Sequence, residues 1–227
     1  MALVGDVWDW FTTTSRFRGS SGVPHRLYEH VQLSFWTMAI AVVVSLPLAL
    51  WLGHLRRGGA LAVNLANLGR AVPSYGLLVF GVQIWGIGLI SGLPKAGLFA
   101  LVLLAVPPLV TNAYVGMSGV PDDVRDSARG MGMTGWQSFR EVELPIALPF
   151  VMTGLRISTL QVIATATIAA FVGVGGLGRY IVDGYAVQDY PQVFAGALLV
   201  ALLALLAEFG LTAIERIVTS QGLRHQR

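Results

Sequence analysis

The stretch Pro121-Asp122-Asp123-Val124-Arg125-Asp126-Ser127-Ala128-Arg129-Gly130-Met131-Gly132-Met133-Thr134-Gly135-Trp136-Gln137-Ser138-Phe139-Arg140-Glu141-Val142-Glu143-Leu144-Pro145 is an island of charge in an apolar chain. It holds eight of the charges of a protein with only 15 Lys and Arg and 12 Asp and Glu. Pro121 suits the start of a helix, and Asp122 and Asp123 favour its positive end. Val124, Ala128 and Met131, spaced by four and three, give that helix one apolar face, and Gly130 and Gly132 stop it. Thr134 followed three residues later by Gln137 fits a capping box for a second short helix. On that helix Trp136, Phe139 and Arg140 lie close together, until Pro145 marks the start of the next apolar segment. The spacing predicts a compact amphipathic hairpin over residues 117–144, with apolar knobs that need a partner.

Outward from this island the chain is almost free of charge. Of its 227 residues 55% are hydrophobic and 12% charged, where a soluble domain carries roughly 25% charged residues. Uncharged windows run over residues 30–55, 71–94, 96–121, 157–178 and 190–207, the last extending past Glu208 to about Ile214. A membrane span needs about 20 mostly apolar residues, so the windows predict an all-α membrane protein of about five spans. Pro47, Pro73, Pro107, Pro108 and Gly154 suggest kinks within them, because neighbouring helices satisfy the freed backbone groups. If the fourth span begins after Pro145, Arg156 falls inside it.

Charge in the loops suggests an orientation. Arg56, Arg57, Arg125, Arg129, Arg140, Arg216, Arg224 and Arg227 outnumber Arg16, Arg18, Arg26, Lys95 and Arg179 on the opposite side. The bias predicts an external N-terminus and a cytoplasmic C-terminus, with the hairpin on the cytoplasmic face. Residues 1–28 do not read as a signal peptide, since Asp6, Asp9, Arg16 and Arg18 interrupt any apolar core. Trp8, Trp10, Phe11 and Phe17 there fit an interfacial helix lying on the membrane, and a polar, poorly ordered leader fits equally. The net charge of +3 is scattered rather than gathered into a basic stripe, which argues against nucleic-acid binding.

Chemistry has few candidate residues. There are no cysteines, and His25, His30, His54 and His225 are dispersed without paired carboxylates, so no metal site or hydrolytic centre is expected. The only lysine, Lys95, follows Pro94 and lies in no Walker loop, so the chain is expected to bind no ATP of its own. Gly173, Gly175 and Gly178 match GxGxxG on paper, but they follow an apolar span instead of a strand. With Gly176 they read as a flexible external turn or gate. Beyond it Tyr180, Asp183, Asp189 and Tyr190 suit either contact with an external protein or a solvated loop. An ion-coupled secondary transporter would place ionisable groups inside its spans. Only Arg156 and Glu208 qualify, with Glu208 near the cytoplasmic edge. Arg156 lies about 11 residues past Pro145, roughly 17 Å along a helix. Either it is embedded and has a partner, or the helix start lies in the interface and the side chain snorkels.

Asp126-Ser127-Ala128, three residues, Gly132, nine residues, then Val142-Glu143-Leu144-Pro145 resembles the Glu-Ala-Ala…Gly…Ile-x-Leu-Pro loop of the permeases of bacterial ABC importers, with Asp for Glu, Ser for the first Ala and Val for Ile. Further pieces resemble the osmoprotectant branch of that family: His30-Val31-Gln32-Leu33-Ser34, Ala71-Val72-Pro73-Ser74, Asn112-Ala113-Tyr114-Val115-Gly116, Ala128-Arg129-Gly130-Met131-Gly132-Met133, Ala164-Thr165-Ala166-Thr167-Ile168-Ala169-Ala170-Phe171 and Gly173-Val174-Gly175-Gly176-Leu177-Gly178. The resemblance covers about residues 29–208. It implies the type I importer permease fold, with a permease domain at 29–214, a coupling loop at 117–144 within it, an N-terminal segment at 1–28 and a tail at 215–227.

The same resemblance implies a function in the bacterial inner membrane: import of glycine betaine, choline, carnitine or a related amine, or of another small solute such as an amino acid. Its implied partners are a cytoplasmic ABC ATPase that holds ATP and Mg, a second permease, identical or paralogous, and an external binding protein. Membrane lipid surrounds the spans. Asp126, Ser127, Ala128, Gly132, Val142, Leu144 and Pro145 would form the coupling loop. A quaternary ammonium is held by aromatic faces, and Trp36, Trp51, Tyr75, Phe80, Trp85 and Tyr114 are available, though aromatics at span ends are commonly anchors. Tyr75, Trp85 and Tyr114, with the small residues Ala166 and Ala170, are the candidates for a substrate path.

Overall fold

The computed structural model describes residues 2–59, 63–64, 73–86, 88–90 and 93–219. The N-terminal helix α1 (Ala2–Thr12) and a short turn lead to α2 (Val23–Leu55), a helix of 33 residues with Pro24 in its first turn. The second window holds α3 (Ser74–Trp85), and a two-stranded ribbon of β1 (Leu89–Ile90) and β2 (Leu93–Pro94) then leads into α4 (Lys95–Ser118). The charged island forms α5 (Asp122–Gly130) and the single turn α6 (Gly135–Gln137). Next come α7 (Leu144–Ala169), α8 (Gly178–Ala186) and α9 (Tyr190–Val218).

Four helical runs among the described residues are long and apolar enough to cross a membrane: Val23–Leu55, Lys95–Ser118, Gly135–Val172 and Tyr190–Val218. The second window behaves differently. Its helix α3 has 12 residues, about 18 Å at 1.5 Å per residue, and a hydrocarbon core is about 30 Å thick. Gly86, at φ +66°, ends it, and the ribbon pairs Leu89 with Pro94 and Ile90 with Leu93. Ala71 and Val72 lie outside the described residues.

Helix α4 is the centre of the bundle. It packs along both α2 and α7, and it buries Ala100, Leu101, Leu104, Ala105 and Leu109. Small residues set the close approach to α7: a Cβ on Gly154 would sit 3.0 Å from Asn112 Cβ and 3.1 Å from the Pro108 carbonyl. Pro107 and Pro108 inside α4 remove two backbone donors,, and two side chains bond carbonyls of the same stretch. Ser158 Oγ donates to Ala105 O from α7 at 2.9 Å, and Asn112 Nδ2 donates to Pro108 O at 2.8 Å. Outside this core, α9 lies against α7 and α8 with most of its apolar surface exposed.

The N-terminal segment is helical and docked. Trp10 is buried edge-on to Tyr180, with ring centroids 5.3 Å apart, while Trp8 is exposed. The Tyr180 hydroxyl donates to Ser21 O at 2.7 Å, and Arg16 donates to Gln192 Oε1 at 2.8 Å, which ties the segment to α8 and α9.

Arg156 stands within α7. It forms ion pairs with Glu208 and, at 3.2 Å, with Glu215, both on α9. The partner that an embedded arginine requires is present on α9. Pro145 does not begin a separate helix: the run is continuous from Gly135 to Val172. A π-helical turn over Ser138–Glu143 precedes Pro145, and the Leu144 N–H reaches back to Phe139 O. A proline offers no N–H to the preceding turn and its ring crowds the carbonyl four residues back. The wider π turn sits where that misfit falls, which leaves Pro145 in the tolerated first turn of α7.

Candidate functional site

Helix α5 forms as the sequence predicts. Its first turn carries Asp122 and Asp123, and it ends at Gly130. Gly132 then adopts φ +82°, a left-handed conformation that glycine enters without steric cost. Its N–H donates to Arg129 O at 2.9 Å, and the Met133 N–H donates to Ala128 O at 3.1 Å, closing the helix end. The capping box is present in both directions: Thr134 N–H donates to Gln137 Oε1 at 2.8 Å, and Gln137 N–H to Thr134 Oγ1 at 3.3 Å. Trp136 stacks on Phe139 at 5.2 Å, and Phe139 meets the His54 ring edge-on at 5.4 Å.

The buried face of α5 departs from the predicted stripe. Ala128 is buried and Val124 half-buried, but Met131 is exposed, and Arg125 is buried in its place. Arg125 Nη1 donates to His54 O at 2.9 Å and Nη2 to Met117 O at 2.7 Å. Those carbonyls belong to the last turns of α2 and α4, where acceptors are left over by the helix and the dipole favours a cation; Met117 O also receives the Val120 N–H at 3.5 Å,. Nη2 also lies 3.1 Å from Glu143 Oε2. Burial lowers the Arg125 pKa from the usual arginine value, and the Glu143 carboxylate opposes that shift.

Glu143 gathers the other side of the cluster. It is 2% exposed, and it accepts from His54 Nδ1 at 2.8 Å and from Ser138 Oγ at 2.9 Å. Residues five apart on a regular α-helix point about 140° away from one another at 3.6 residues per turn. The π turn brings Ser138 and Glu143 within one hydrogen bond. A second strap joins the same ends: Arg56 pairs with Asp122 and donates to Val120 O at 2.6 Å.

Over this base the loop presents an outward surface. Asp126, Ser127 and Gly132 are exposed, Val142 and Leu144 half-buried, and Pro145 exposed. Met131 at 70% and Trp136 at 61% exposure are apolar knobs beside them. The structure thus places all seven predicted loop residues in one connected unit. Sequence reasoning missed Arg125, Glu143, Ser138 and His54 as members of it. Their only signals were a charge on the otherwise apolar side of α5 and a histidine near the end of α2.

At the opposite end of the bundle, Gly173 and Gly176 adopt φ +83° and +93°. The turn is held by α2: the Gly176 N–H donates to Glu29 Oε2 at 2.8 Å, and His30 Nε2 donates to Ile163 O at 3.0 Å. A Cβ on Gly175 would collide with the Glu29 carboxylate, and one on Gly178 with the Thr167 backbone. A cleft of about 230 Å³ opens here between Glu29, Gln32, Pro94, Gly173 and Val174.

The predicted path residues do not converge on one cage. Tyr75 lies edge-on to Phe171 at 6.1 Å, Trp85 packs on Phe99 at 4.5 Å, and Tyr114 sits against Gly59 near the other end of α4. Ala166 and Ala170 are 1% exposed, and Ala166 packs in the core with Leu33, Leu78 and Leu101. Among the described residues no group of three or more His, Cys, Asp and Glu is placed to hold a metal ion.

Comparison with known proteins bears on this arrangement. Residues 33–220 match the family model described as "Binding-protein-dependent transport system inner membrane component". The chain is 34% identical over 196 residues to the "Glycine betaine/carnitine/choline transport system permease protein OpuCB" of Bacillus subtilis, covering 86% of this chain and 88% of the relative. It is 33% identical over 200 residues to the "Choline transport system permease protein OpuBB" of the same organism, covering 88% and 90%. It is 30% identical to the "Osmoprotectant import permease protein OsmW" of Salmonella typhimurium, covering 87% and 92%. Among solved structures it superposes on a chain of the inward-facing MetNI methionine ABC transporter with a TM-score of 0.72 at 24% identity, over 87% of this chain and 96% of that one. That likeness concerns the fold.

Proposed function

Because the chain belongs to the family of binding-protein-dependent transport system inner membrane components, we propose that it is the permease of an importer for osmoprotectant quaternary amines. It is a multi-pass membrane permease and not a catalytic enzyme. In this reading ATP is hydrolysed by a separate cytoplasmic subunit, a binding protein delivers the amine from outside, and two permeases, identical or paralogous, enclose the path. The N-terminus lies outside and the charged hairpin inside.

The observation that carries the reading is the hairpin. Its exposed Asp126, Ser127, Met131, Gly132 and Trp136 stand on a base in which Arg125 and Glu143 join the ends of three long helices. A protein that pushes on this surface moves spans directly. Glycine betaine, choline and carnitine are the solutes for which these relatives are named, which is the support for the amine class. The exposed ring of Tyr75 beside Phe171 offers aromatic faces to a cation in transit,.

The test is uptake by vesicles reconstituted with this permease, its ATPase and its binding protein. Labelled betaine or choline accumulates only with ATP and is displaced by related amines. Displacement by amino acids alone would favour a different solute on the same architecture. Uptake without nucleotide would point to a secondary transporter.

A further inference from the structure

We propose that Glu143 and Arg125 form a rigid joint that makes the cytoplasmic end of α2 travel with the hairpin, so that the push on the loop is delivered to α2 and α4 as well as to α7. The inference rests on the reading of the hairpin as the surface where the ATPase acts, and it concerns residues that the loop's own motif does not contain, save the unspecified position at Glu143.

The hairpin is covalently continuous only with α4, through Val120 and Pro121, and with α7, through the π turn. Helix α2 packs along α4 but is distant in sequence from the hairpin, which reaches it through side chains. Arg125 places two N–H groups on the terminal carbonyls of α2 and α4, at His54 O and Met117 O. Glu143 lies 3.1 Å from that guanidinium and shares a hydrogen bond of 2.8 Å with His54 Nδ1, while Ser138 Oγ donates to its other oxygen at 2.9 Å. Both charges are almost wholly buried, Arg125 at 6% and Glu143 at 2% exposure. A buried pair with this many partners has few alternative geometries, since any displacement leaves a charge unpaired in a medium of low dielectric. The backbone closes in as well: a Cβ on Gly53 would lie 3.0 Å from Tyr114 O and 3.1 Å from Met117 Cγ. The outer strap of Arg56 to Asp122 and Val120 O is more exposed and serves as a second tie.

The π turn is part of the device. It sets Ser138 and Glu143 on one side of the helix and aims the carboxylate at α2 and α5. These are positioning residues: they touch neither solute nor nucleotide.

The test uses the complete importer in vesicles and three variants. Glu143→Gln keeps the shape but removes the charge. Arg125→Met removes the other partner. The double variant Arg125→Met/Glu143→Leu removes both charges together, a change that commonly leaves folding intact. Solute uptake and ATP hydrolysis are measured on the same vesicles. A joint predicts that the double variant assembles with its ATPase and hydrolyses ATP while its uptake per ATP falls by at least about fivefold, the lower end of usual coupling energies.

A direct reading of the motion accompanies it. The chain has no cysteine, so spin labels at Arg57→Cys and Arg140→Cys report one distance between the α2 end and the hairpin. In the unvaried joint that distance keeps one narrow distribution with and without trapped ATP, and in the double variant it broadens or shifts with nucleotide. Uptake per ATP unchanged in the double variant, or a label distance that changes with nucleotide while the joint is intact, overturns the proposal. Absence of ATP-driven uptake by the unvaried complex would instead strike at the function proposed above.

Discussion

Glu143 divides its two oxygens among Ser138, His54 and Arg125 while almost no water reaches it. Removing one member of such a pair leaves an uncompensated charge, at a cost of about 3–5 kcal/mol. Arg125→Met is therefore expected to lower the unfolding temperature of the detergent-solubilised permease strongly, and Arg125→Met/Glu143→Leu to recover a large part of that loss. Gly132 makes a different demand. Nothing lies within 4 Å of the space a Cβ would occupy, but its φ is +82°. A β-branched residue there meets backbone strain of about 1–3 kcal/mol and no clash. Gly132→Val should accordingly leave the spans folded, reshape the end of α5, and reduce uptake per ATP hydrolysed. Unchanged uptake by a stably inserted Gly132→Val chain would argue against a coupling role for this loop.

Among the elements, close packing of α4 against α7 holds the bundle together. A side chain on Gly154 meets Asn112 Cβ at 3.0 Å and the Pro108 carbonyl at 3.1 Å, whereas Gly210 on α9 has nothing within 4 Å. Gly154→Leu is expected to cost at least the roughly 1–3 kcal/mol of an overpacked core, seen as a lower yield of monodisperse protein. Gly210→Leu should be neutral in the same assay. These elements were unevenly legible in the sequence. The capping box at Thr134 and Gln137, the stop at Gly130 and Gly132, and the long apolar helices are local signals, and the structure contains each. The joint was hidden because His54, Arg125 and Glu143 are brought together by tertiary packing, which no periodicity reports. The π turn was hidden because Pro145 read as a boundary. Likewise the shortness of α3 was masked by a window that stays apolar through Gly86 and the β1–β2 ribbon. The path residues fared differently. Ala166 and Ala170 are both buried, and Ala166 packs in the core with Leu33, Leu78 and Leu101, a position that their small-residue spacing alone does not distinguish from a lining,.

For the molecule as a whole, the two ends of the bundle are built to different plans. One end carries the hairpin on its buried charges; the other carries the glycine turn, tied to α2 through Glu29 and His30. Helix α2 touches both, and so forms a continuous element between the surface assigned to the ATPase and the turn assigned to the outside. Arg156, the one arginine well inside a long helix among the described residues, is matched by Glu208 and Glu215, so it fastens α9 to α7 instead of standing as a lone mobile charge. This division fits a machine driven from one end by another protein. The most direct measurement of that claim is the nucleotide dependence of betaine or choline uptake in vesicles holding the permease, its ATPase and its binding protein. Accumulation that requires ATP and persists after ion gradients are collapsed is the predicted result. Accumulation driven by an ion gradient in the absence of ATP would contradict it.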